Sequence, residues 1–210
     1  MQQVRADLWV TRPDIHSERL VTHAHLWIAP DAGNIMFHNT GTDADLDEIE
    51  RLGGIAHQYL SHRDVSGPML VAHAARFGTQ LHSPELEADD VARVRTPEVT
   101  FRDRHIDTNG VEVTPAPGHS PGSTCFQVTG ADDAVYLFTG DTIFHRDGRW
   151  RVVLLGQSDS DAMFRDARRA GRVGSRRGRV ERLRRRHRGV RVRGPLMGLV
   201  CGRGPRRTRA

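Results

Sequence analysis

The chain has 210 residues, 37% of them hydrophobic and 27% charged, which suits one domain with a sizeable core, or a domain plus a tail. No apolar run approaches the roughly 20 residues of a membrane span, and MQQVRADLWV lacks the basic-then-apolar pattern of a signal peptide. Cys125 and Cys201 alone make no disulfide framework, so a cytoplasmic location is expected.

The formal charge of +5 averages two unlike segments, and every basic residue is Arg. Residues 171–210 hold 15 Arg against one acid, Glu181, a net +14; residues 1–170 hold 16 Arg against 25 acids, a net −9.

The body alternates short strands and helices. LVTHAHLWIA (20–29) and NIMFHN (34–39) are strand-like and separated by the turn residues of PDAG. Residues 42–52 predict a helix with acids in its first turn, closed by Gly53 and Gly54. A strand over 56–61 and a helix over 69–78 follow. Three more strands are expected over 111–116, 124–130 and 134–140, then a helix over 159–170 capped by Ser158 or Ser160. Such alternation argues an α/β protein with its chemistry on loops at strand ends. The tail has no apolar period and repeated like charges, so it is expected to be disordered by itself. Its Arg- and Gly-rich, Lys-free composition also matches GC-rich coding sequence read in a shifted frame. A nucleic-acid arm is disfavoured, because no aromatic is interleaved to stack on bases.

Three loops carry candidate chemistry: LSHRD with His62 and Asp64, TPAPGHSPGSTCF with His119, and FTGDTIF with Asp141. A sheet presents its strand ends side by side, so His and carboxylates there can gather around one ion. Other residues read as structural. His73 is expected on a helix surface, His23 and His25 on one exposed strand face, and Cys125 as a small core residue.

In PGHSPGST and LFTGDTIF, the stretch from about 20 to 165 resembles the metallo-β-lactamase fold superfamily, in its hydrolase branch near glyoxalase II. The resemblance implies a four-layer αββα sandwich with metal at one edge between two β-sheets, here with an incomplete C-terminal half. It divides the chain into a domain over 1–170 and a tail over 171–210.

In that family the first loop reads Thr-His-x-His-x-Asp-His. Carried over, His62 matches the first His, and Asp64 stands where the second would be. Ser66 and Gly67 occupy the Asp-His positions that serve the second metal. His119 matches the third-loop His and Asp141 the bridging Asp. The late His would fall in the tail, where only His187 exists. The implied site is His62, Asp64, His119 and Asp141, with Asp64 and Asp141 as the catalytic carboxylates. Its donors suit one zinc ion rather than two, or iron.

The expected function is metal-dependent hydrolysis of an ester, thioester or amide-type bond in a small-molecule substrate. The alternative is a non-catalytic member of the fold acting as a binding module.

Overall fold

The computed structural model describes residues 1–17, 20–146, 149–152, 158–159 and 161–162. Strands run in chain order as β1 (Gln2–Arg5), β2 (Leu8–Val10), β3 (Asp14–Ser17), β4 (Leu20–Thr22), β5 (His25–Trp27) and β6 (Ile35–Phe37). Then follow α1 (Leu46–Arg51), β7 (His57–Tyr59), α2 (Met69–Phe77), β8 (Gln80–Pro84), α3 (Ala88–Val91) and β9 (Val99–Phe101). The rest are β10 (His105–Ile106), β11 (Glu112–Pro115), β12 (Thr124–Thr129), β13 (Val135–Phe138), β14 (Phe144–Arg146) and β15 (Arg149–Arg151).

The first sheet has the order β1-β2-β5-β6-β7-β8-β9 and changes character at β6. Its first four strands pair antiparallel. From β6 to β9 the pairing is parallel, with α1, α2 and α3 in the three successive crossovers that parallel neighbours require. The second sheet, β10-β11-β12-β13, is an antiparallel meander.

The two-residue period of strands sorts side chains between layers. Trp27, Ile35, Phe37 and Tyr59 point at the second sheet and meet Val113, Phe126, Val128, Tyr136 and Phe138. Leu26 and Met36 point the other way and pack with Ile49 of α1 and Ile55. Leu60, Leu70, Leu81 and Val91 fill the space under α2 and α3. Helices, sheet and sheet thus make three layers. The helix expected over 159–170, which would begin the fourth, lies almost wholly outside the described residues, as do the tail from 171 and His187.

Two half-buried carboxylates tie the sheets together. Asp7 accepts hydrogen bonds from Trp27 Nε1 (3.0 Å) in the first sheet and from Tyr136 OH (2.5 Å) in the second, and also from the Ala131 N–H. Partial burial alone would raise its pKa, but these donors outweigh burial and hold it below the ordinary value. Asp107 likewise accepts from Tyr59 OH and from the N–H groups of Asn109 and Val111.

Several local expectations are corrected. Residues 20–29 form two strands, not one, because the chain breaks at His23–Ala24. There Thr11 takes over, its Oγ1 accepting from the Ala24 N–H and its own N–H donating to the Ala24 carbonyl. His25 is buried rather than exposed, its ring against Phe138. His73 is also buried, since Met69, Leu70 and His73 share the inward stripe of α2, and its Nδ1 meets Gln58 Oε1 at 3.0 Å. Of the two expected caps, Ser158 Oγ donates to the His119 carbonyl and Ser160 lies outside the described residues, while Asp159 Oδ1 accepts from the N–H groups of Asp161 and Ala162. Gly78 does end α2, in the left-handed conformation that glycine adopts without strain.

Candidate metal centre

The three loops meet at one edge of the sandwich. The first leaves β7 and continues as Leu60, Ser61 and His62 before a single 3-10 turn at Arg63–Val65. The second joins β11 to β12 and carries His119; the third leaves β13 and carries Asp141. The two sheets are stitched at this edge by the Thr124 N–H, which donates to the Ser61 carbonyl at 2.9 Å. Gly140 takes φ +50, and a Cβ there would lie 2.4 Å from Ser61 Oγ. Only glycine lets the third loop close on the first.

His62 and His119 are buried, with ring centroids 4.7 Å apart and planes nearly perpendicular. Asp141 Oδ2 lies 3.6 Å from Nε2 of each. One donor atom from each of the three falls within 4.8 Å of the others. A zinc tetrahedron with bonds of about 2.0–2.1 Å has edges of roughly 3.4 Å, close to these separations. Asp64 stands beside this set, its Oδ2 3.4 Å from His119 Nε2, with 44% of its side chain exposed. It does not cap α2, which starts behind Pro68 with no side-chain cap.

The electrostatics suit a cation. Burial, then the neighbouring His119, holds the His62 pKa well below its ordinary value, so the ring is neutral at pH 7. Its Nδ1 is 2.9 Å from Ser61 Oγ, and its Nε2 is buried without a hydrogen-bond partner. A neutral imidazole with Nδ1 engaged and Nε2 facing a carboxylate is the arrangement of a ligating histidine. The residues present therefore fit a divalent ion. Ser66 and Gly67 follow in the first loop, and neither offers an imidazole or carboxylate.

Two residues around the centre gave no sequence signal. Arg63 sits between His62 and Asp64, and its guanidinium pairs with Asp90 (2.9 Å) and Glu87 (3.4 Å). Glu87 belongs to the acidic stretch SPELEADD, yet its side chain is wholly buried. Only the fold brings it under the His119 loop.

No protein-family model and no curated protein matches the sequence. Solved structures do match. A Cronobacter sakazakii metallo-β-lactamase with an HARLDQ motif superposes with TM-score 0.55 at 21% identity, covering 80% of this chain and 71% of that one. A metallo-β-lactamase from Pontibacter korlensis gives TM-score 0.62 at 17% identity, covering 82% and 84%. A protein solved in a di-iron-bound form gives TM-score 0.53 at 20% identity, covering 70% and 79%. The chain has the metallo-β-lactamase fold.

Proposed function

We propose that this chain is a metal-dependent hydrolase with a reduced, mononuclear site held by His62, His119 and Asp141, with Asp64 as a further carboxylate at its open side. The observation that carries the reading is the convergence of three donors from three separate loops within 4.8 Å, at one edge of a metallo-β-lactamase fold. Zinc suits two imidazoles and a carboxylate, and iron is the alternative.

A bound divalent ion supplies Lewis-acid chemistry, acidifying water towards neutrality and polarising a carbonyl. The protein residues do the rest. Ser61 fixes one nitrogen of His62 so that the other faces the centre. Asp141 offsets the positive charge of the ion. Asp64, half in solvent, is placed to orient a water and accept its proton. An ester, thioester or amide-type carbonyl in a small molecule is the substrate class this supports. The lack of donors at Ser66 and Gly67 supports one ion in place of two.

Metal analysis of the purified chain, loaded with zinc and then desalted, tests the reading. About one ion per chain is expected. Two would refute the mononuclear site, and none would leave the fold as a non-catalytic binding module.

A further inference from the structure

The buried carboxylate of Glu87 reaches both of the loops that carry the histidines. Its Oε1 accepts from Ser120 Oγ at 2.9 Å and from the Gly122 N–H at 2.6 Å. Both donors belong to the turn directly after His119. Its other oxygen, Oε2, lies 3.4 Å from Nε of Arg63, the residue directly after His62. Arg63 is anchored in turn by Asp90, one turn further along the same helical segment as Glu87.

This contact is built, not incidental. The Glu87 side chain has 0% exposure. Oε1 is met by two hydrogen bonds, whereas Oε2 has no hydrogen-bond partner and faces the Arg63 cation, so losing that cation would leave a buried charge unmet. Gly122 has no side chain where one would collide: a Cβ there would lie 2.4 Å from Glu87 Cγ. The turn is closed around the carboxylate by its own bonds, the Ser120 N–H to Ser123 Oγ and the Ser123 N–H to the Ser120 carbonyl. Moving Glu87 would therefore displace the His119 turn as a unit, and through Arg63 the His62 turn with it.

We infer that Glu87, paired with Arg63, is the positioning residue of the centre: it holds the His62 and His119 loops at the separation one divalent ion requires. Ligand spacing then depends on a carboxylate that never meets the ion. Outer partners of metal ligands typically govern affinity by about 10–100-fold. The inference rests on the metal reading above.

The test uses the full chain and zinc alone. Wild type, Glu87→Gln, Arg63→Gln and the double variant are compared by zinc titration calorimetry, by the visible spectrum of the cobalt(II) form, and by circular dichroism melts in chelator. The glutamine at 87 keeps an oxygen for Ser120 and Gly122 but loses the charge that meets Arg63. Each single variant should bind zinc about 10-fold or more weakly and show shifted cobalt bands, while its metal-free melt stays cooperative. The double variant should lose little more than either single one, because the two residues act as one brace. Wild-type zinc affinity and cobalt spectrum in both single variants would overturn the inference and leave the metal site standing. Failure of both variants to fold without metal would also overturn it, assigning the pair to folding alone. Wild type that takes up no zinc would refute the metal reading itself, and it shows in the first titration.

Discussion

Two pairs of histidines, one within the first sheet and one where loops of the two sheets meet, solve the same physical problem in opposite ways. His57 and His82 sit on neighbouring parallel strands with Nδ1 of one 3.0 Å from Nε2 of the other. One ring donates and the other accepts across this contact. His82 is also stacked on Tyr59, at 4.1 Å between centroids. His62 and His119 are arranged differently. Their Nε2 atoms face Asp141, and the His119 ring also faces Asp64. The first pair is closed on itself; the second is open towards carboxylates. A histidine pair therefore reads as a cation site when its outward nitrogens meet anionic oxygens, and as packing when they meet each other.

The sharpest way to break this comparison is His119→Ala. It removes one of three donors with no substitute in its loop, and zinc uptake should fall below detection in equilibrium dialysis. Retained full affinity would mean that the centre is misplaced. Asp141→Asn keeps the shape but removes the facing charge. It should weaken zinc by more than the about 10–100-fold typical of outer-shell partners, measured by competition with a chromophoric chelator.

Acid should reveal the buried histidines outside the candidate centre. Burial, then His57, lowers the His82 pKa to about 4; burial, then Arg95, does the same for His73. In the unfolded chain both titrate near 6.5. Between these values the unfolded state binds more protons, so the stability contributed by these two residues falls as pH drops from about 6.5 to 4, and their share levels off below. Metal-free melts should show the midpoint declining through that window. His82→Gln should flatten the decline, and an unchanged slope in that variant would remove His82 as a cause.

Smaller effects separate the pairs further. Asp64→Asn should leave zinc stoichiometry at one and lower affinity only several-fold, since this carboxylate stands outside the tight set; a complete loss would make it a full ligand. His57→Gln should cost on the order of 1 kcal/mol of stability in chemical denaturation and leave zinc affinity unchanged. A change in affinity there would mean that the two ends of the sheet communicate.

Much of the centre was legible because its residues lie in short, chemically distinctive turns. PGHSPGST can place His119 only after a strand, and FTGDTIF can place Asp141 only past a glycine turn. Local sequence also located the strands from 112 to 138, where apolar alternation is strong, and the end of α2 at Gly78. Residues 79–110 gave no element in advance, although β8, α3 and β9 lie there. Their strands are short and interrupted by Pro84 and polar residues, so their stability comes from parallel neighbours, not from pattern.

Sequence by itself determined the alternating architecture, the three loop motifs and the loss of donors at Ser66 and Gly67, because each depends on residue type and spacing within a few positions. Tertiary structure alone decided which histidines are buried and what they face. His73 and His25 have the composition of surface residues, and only the packing of α2 on Gln58, and of β5 against Phe138, turns them inward. The same holds for Glu87, whose role rests on contacts 24, 33 and 35 positions away along the chain, to Arg63, Ser120 and Gly122. A buried carboxylate is defined by the partners that meet its charge, and those partners are chosen by the fold.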